Sequence, residues 1–101
     1  MKNGRKRPKS ILKTEKGICY LCQKQGPTEL HHILHGTGYR KIADKLGLVV
    51  YLCHDCHQGT DGIHGKNGHE RDIDLKKIAQ HTYEHLHSHE EWMQIVGRNY
   101  L

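Results

Sequence analysis

Residues 48–57 read Leu-Val-Val-Tyr-Leu-Cys-His-Asp-Cys-His. The β-branched and aromatic run Leu48–Leu52, bounded by Gly47 and Cys53, makes the best strand in the chain. It leads straight into a Cys-x-x-Cys pair, Cys53 and Cys56, followed at once by His57. The same spacing occurs upstream in Gly-Ile-Cys-Tyr-Leu-Cys, residues 17–22, which reads as a knuckle whose turn aims backbone amides at the sulfurs of Cys19 and Cys22. Between the pairs lies Glu29-Leu30-His31-His32-Ile33, within an apolar-polar run over 28–34 that suits a second strand. A hairpin of two short strands, pinned at both ends by cysteines, follows from these stretches.

The chain has 101 residues, no Phe, a single Trp and 35% hydrophobic residues, which is one small domain with little material for a core. Domains of this size often need a metal or disulfides. Two Cys-x-x-Cys pairs fit a four-thiolate zinc site at Cys19, Cys22, Cys53 and Cys56. The alternative is two disulfides in a secreted protein. The polar, basic start, Met1-Lys2-Asn3-Gly4-Arg5-Lys6-Arg7, has no apolar segment after it, so a secretory leader is not expected. No stretch approaches membrane-spanning length. A cytoplasmic, reducing setting is the expectation, and there paired thiols bind metal more often than each other.

Charge is uneven. Residues 1–16 hold seven Lys or Arg and one Glu, while the rest holds nine Lys or Arg against ten Asp or Glu. The expected organisation is a basic flexible arm over 1–16 and a zinc-stapled domain over 17–101. A cationic arm attracts phosphate backbones; a solubilising tail is the plainer reading.

Further along, Arg40–Leu46 suits a short helix ended by Gly47. Residues 58–68 contain Gly59, Gly62, Gly65 and Gly68 and read as a loop beside the site. A helix is expected to start at Asp72-Ile73-Asp74, with acidic residues suited to the dipole and an apolar face through Ile73, Leu75, Ile78 and Ala79, followed by Thr82, Tyr83 and Leu86. Ser88 and Glu91 form a capping box for a last helix, which Gly97 stops. The fold class is α+β, with two helices added after the hairpin.

Neighbouring strand residues point to opposite faces. At the end of a strand, His31 can therefore hold an ion while His32 faces a water and a phosphate. A phosphodiesterase working with one metal ion needs that division: a ligand for the ion and a separate neutral imidazole as base. His57 is fixed next to Cys56, and His64 lies across the glycine-rich turn, so His31, His57 and His64 make an open divalent site. His81 and His85, at i, i+4 on the expected helix, lack a third ligand at fixed spacing and read as solvated surface, as do His87 and His89.

Taken together, Cys-x-x-Cys, Glu-Leu-His-His-Ile and Leu-Val-Val-Tyr-Leu-Cys-x-x-Cys-His resemble the HNH endonucleases of the ββα-metal (His-Me finger) type. More narrowly, with Gly-Thr-Asp-Gly-Ile-His-Gly-Lys-Asn and the closing Gly-Arg-Asn-Tyr-Leu, the chain is similar to small phage proteins related to the RecA-dependent, recombination-enhancing nucleases. The resemblance spans about 17–101. It implies a small ββα-metal fold, His32 as general base, and His31, His57 and His64 as ligands of Mg²⁺, Mn²⁺ or Zn²⁺. It also implies phage DNA recombination or processing, with a recombinase filament or other recombination protein as a partner. The chain departs from the pattern twice. Gly47 stands where the family's middle Asn precedes the second strand, and the last two ligands are farther apart than usual, which brings His35, His54 and His69 in as substitutes.

DNA contact is expected from Lys2, Arg5, Lys6, Arg7 and Lys9 on the arm, and from Arg40, Lys41 and Lys66 near the site. Three functions stay open on the residues: a metal-dependent DNA endonuclease, a catalytically inactive zinc-stabilised nucleic-acid-binding or recombination accessory module, and an interaction protein docking through Trp92, Met93, Ile95, Tyr100 and Leu101.

Overall fold

The computed structural model describes residues 9–101. The expected contact residues Lys2, Arg5, Lys6 and Arg7 lie outside them. Two strands, β1 (Glu29–His32) and β2 (Val49–Leu52), pair antiparallel with His31 opposite Val50 and His32 opposite Val49. The ladder continues one step as the Ile33 amide donates to the Leu48 carbonyl at 2.9 Å. Both strands are four residues long, so β1 is shorter than the apolar run over 28–34.

Helix α1 (Tyr39–Leu46) crosses between the strands. It ends at Gly47, whose φ of 74° is left-handed, a conformation that glycine adopts without strain. A Cβ at this position would also run into the Lys9 carbonyl. The reason is that the segment expected to be free arm is packed down. The Ile11 amide donates to the Gly47 carbonyl at 2.9 Å, the Tyr51 amide donates to Thr14 Oγ1 at 3.0 Å, and Leu12 is buried. The arm boundary at residue 16 is therefore too late: residues 10–14 belong to the domain.

Helix α2 (His54–Gln58) starts directly after Cys53 and is only five residues long. The following loop is wound by its glycines. The amides of Gly62, Gly65 and Gly68 donate in turn to the carbonyls of Gly59, Gly62 and Gly65. Cβ atoms at Gly65 or Gly68 would strike the backbone carbonyls of Gly59 or Gly62. The coil is stitched to α2 by bonds seven residues long, Ile63 to Cys56 at 2.8 Å and His64 to His57 at 2.9 Å.

Helix α3 (His69–Leu86) begins three residues before the expected Asp72, because the last glycine of the coil, Gly68, already supplies the carbonyl that accepts from the Asp72 amide. Its inward stripe is Asp72, Leu75, Ala79 and Tyr83, while Ile78 and Leu86 are exposed rather than on the core face. Helix α4 (His89–Ile95) carries the expected capping box, with the Glu91 amide donating to Ser88 Oγ at 3.1 Å. Trp92 is fully buried, with Nε1 donating to the Arg98 carbonyl at 2.6 Å. It is core, and not part of an exposed docking face. The tail turns back onto α3, where the buried Gln80 bonds Asn99 and the Tyr100 amide. The protein is thus a small α+β domain of one two-stranded sheet and four helices. Among the described residues no helix is long and apolar enough to cross a membrane.

Candidate metal centres

All four cysteines are free thiols, and their sulfurs lie within 4.8 Å of one another. The knuckle at residues 19–24 is closed by the Cys19 amide on the Lys24 carbonyl at 3.0 Å and the Gln23 amide on the Cys19 carbonyl at 2.9 Å, and Gln23 takes a left-handed φ of 65° to complete the turn. The knuckle docks on β2 through the Tyr20 amide and the Tyr51 carbonyl at 2.8 Å. Cys22 and Cys53 sulfurs are 3.8 Å apart.

The four thiols do not ionise alike. Burial alone would push Cys19 up, but the amides of Cys22, Cys53 and Leu21 outweigh it and hold the thiol down to about 6. Cys56 is pushed up to about 12 by burial and by the other three sulfurs. Tetrahedral thiolate sites of this composition take zinc, and four cysteines so placed fit such an ion.

A second group lies one residue away. Cys56 and His57 are consecutive on α2, and His57 turns to the other side, toward β1 and the glycine coil. Nitrogens of His31, His57 and His64 lie within 4.8 Å of one another, with ring centroids 4.8–5.1 Å apart. The seven-residue separation of His57 and His64 is spanned by their own backbone hydrogen bond, so the longer spacing still brings the two rings together.

His31 is the unusual member. It is 1% exposed, and both ring nitrogens are buried without a hydrogen-bond partner. Buried polar atoms in folded proteins are nearly always satisfied, so the ring lacks a partner such as a water or an ion at the nitrogen that carries its lone pair. Burial, then the neighbouring imidazoles of His57, His64 and His35, hold the ring's pKa down to about 3, so it stays neutral. Burial likewise lowers His64. Neutral imidazoles are the form that binds metal.

Glu29 and His31 share one face of β1. Glu29 accepts from His57 Nδ1 at 2.7 Å and from His54 Nδ1 at 3.0 Å. These hydrogen bonds hold the Glu29 carboxyl below its usual range. With Nδ1 donating, the lone pair of His57 is on Nε2, the carboxylate–histidine arrangement common behind metal ligands. His54 is spent on Glu29 and His69 is exposed at the start of α3; neither joins the cluster.

His32 lies on the other face of β1, against α1. Its Nε2 donates to Asp44 Oδ1 at 2.6 Å, leaving the Nδ1 lone pair free. Because His32 ends the strand, it also opens on the pocket that the cluster faces. That pocket holds about 310 Å³ and is lined by Leu30, His31, His32, His35, Gly36, Arg40, His57 and His64. Arg40 brings a cation to its rim; Lys9, Lys41 and Lys66 are exposed, and none of them lines the pocket. His81, His85, His87 and His89 are exposed, with His89 bonded to Glu84 at 2.7 Å.

Asp44, Glu29 and Asp72, which bonds the expected substitute ligand His35 at 3.0 Å, are site residues that sequence reasoning missed. Their only signal was an acidic type within reach of a histidine-rich segment. No protein-family model matches the chain, and comparison with curated proteins and with solved structures finds no match. The chain is placed by its own geometry as a small α+β protein with a four-cysteine cluster suited to a metal such as zinc.

Proposed function

We propose that this protein is a metal-dependent DNA endonuclease of the HNH, ββα-metal type, in which β1, β2 and α2 form the catalytic unit. The observation that carries the reading is the pair of successive histidines. His31 is buried with two orphaned nitrogens beside His57 and His64, while His32 is anchored by Asp44 and opens on the same pocket.

In this reading the phosphodiester lies in the pocket with Arg40 at one edge as a counter-charge. His31, His57 and His64 would hold a divalent ion, which would supply positive charge against what builds on the phosphate and the leaving oxygen. His32 Nδ1 takes a proton from water as the water oxygen bonds to phosphorus and the P–O ester bond breaks. Asp44 fixes the ring and accepts from Nε2, so the imidazole gains its proton without turning away. Glu29 does the same for His57. Asp44 thus fills the orienting role that Gly47, standing at the family's Asn position, cannot perform. DNA from phage recombination or processing, and a recombinase filament as partner, extend this reading through the family resemblance.

The test is plasmid nicking with Mg²⁺, Mn²⁺ or Zn²⁺, by the parent and by His32→Ala. The variant is expected to lose roughly 10²–10⁴-fold in rate while keeping its thiolate-bound zinc and its fold. Equal cutting by both proteins removes the base assignment. Salt-sensitive DNA binding without cleavage by the parent under any ion would leave a zinc-stabilised binding module, the reading that the missing Asn favours.

A further inference from the structure

We propose that His35, held by Asp72, is a fourth imidazole ligand of the ion at His31, His57 and His64. The inference rests on the reading that those three residues bind an ion.

His35 follows β1 and precedes the left-handed turn at Gly36, whose φ is 98°. That turn keeps the ring on the pocket. Its centroid is 5.1 Å from His64 and 5.9 Å from His31. Imidazoles bound to one ion by bonds of about 2.0–2.1 Å have centroids roughly 3.2 Å from it, hence roughly 4.5–5.2 Å from one another at ordinary ligand angles. The three pairs within the cluster fall in that range, and so does His35 with His64. The distance to His31 is longer, and His35 stands outside the 4.8 Å group formed by the other three, so its ring must turn inward to close on the ion.

The second argument is the carboxylate behind the ring. His35 Nε2 meets Asp72 Oδ1 at 3.0 Å. Asp72 is 8% exposed and its other oxygen accepts from Lys76 Nζ at 2.8 Å. Asp72 therefore accepts, His35 Nε2 donates, and the lone pair is left on Nδ1. The construction repeats that of Glu29 and His57: a carboxylate takes one ring N–H so that the other nitrogen serves a metal. A surface histidine with only an ion-pair role has no need of a buried partner braced by a lysine.

Four nitrogen donors around one ion also select its class. Imidazole suits zinc, copper, iron and nickel, whereas Mg²⁺ and Mn²⁺ favour oxygen. An ion of that class able to hold five or six ligands keeps room for a phosphate oxygen.

The experiment is a Zn²⁺ titration of the full chain, followed by the ring ¹⁵N resonances of the histidines and by competition with a chelator of known affinity. The second zinc is expected to shift His35 Nδ1 along with one nitrogen each of His31, His57 and His64. His35→Ala should weaken that zinc by about tenfold or more, and Asp72→Asn by a smaller factor, with the thiolate-bound zinc unchanged. An unmoved His35 resonance, an affinity equal in parent and His35→Ala, or a parent that binds one zinc only would each overturn the proposal. If four imidazoles bind but DNA is never cut, the nuclease reading falls and this one stands. If DNA is cut while His35 stays silent, the reverse holds.

Discussion

The sulfur cluster and the imidazole cluster meet at a single peptide bond, Cys56–His57, and are built on opposite plans. The sulfurs come from two turns far apart in sequence, and one amide-lined knuckle draws the first negative charge onto Cys19. Nothing behind them needs a carboxylate, because the thiolates supply the charge. Among the imidazoles His31 and His64 are held toward the neutral form, the supports are the carboxylates Glu29 and Asp72, and one side lies open to a pocket. A closed set of anionic ligands suits a staple; an open set of neutral ones suits chemistry on an anion.

This contrast breaks most sharply if zinc is removed. Structural zinc sites contribute about 10–16 kcal/mol, against a net stability of about 5–15 kcal/mol for an ordinary domain. Chelation at neutral pH, or Cys56→Ser, should therefore abolish the near-ultraviolet circular dichroism of the buried Trp92. Retention of that signal after complete zinc removal would show that the core stands unaided.

The imidazole cluster should behave oppositely, costing stability in the absence of its ion. His31→Leu removes a buried ring with two unsatisfied nitrogens, each a penalty of about 1–3 kcal/mol. With zinc only on the sulfurs, urea unfolding should find this variant more stable than the parent, and unable to take a second ion. The difference should widen in acid. The unfolded chain protonates His31 near 6.5, but the folded one resists until about 3. The stability linked to neutral His31 is complete above pH 6.5 and is lost as pH falls from there toward 3. Parent and variant should diverge over that window, and parallel curves would refute the linkage.

A smaller effect tests the face of β1 turned to α1. Asp44→Ala should lower the turnover of DNA by about ten- to a hundredfold, leaving KM and the melting temperature nearly unchanged, with partial recovery in Asp44→Glu. A matching loss in His31 ion affinity would instead make Asp44 part of the metal scaffold.

Much of this architecture was legible because ligand residues announce themselves by type and spacing. Cys19 through Cys56 and the run at His31–His32 need no tertiary knowledge to be noticed, and the capping box at Ser88 is a local code. What stayed hidden depends on partners distant in sequence. Asp44, Glu29 and Asp72 acquire meaning only once α1 and α2 pack on β1 and α3 brings Asp72 to His35. Ser10–Thr14 looked like free arm because its anchors are mostly backbone atoms of Gly47 and side-chain bonds to β2, which leave no periodicity. Trp92 looked available because a seven-residue helix shows too few turns to reveal its inward side.

The glycine coil between α2 and α3 behaves as a ruler graduated in threes. Each stride ends where only a hydrogen atom fits against the chain below it, which fixes the pitch of the coil. A single inserted residue at 60 or 61 would rotate His64 off its station while leaving every ligand chemically intact.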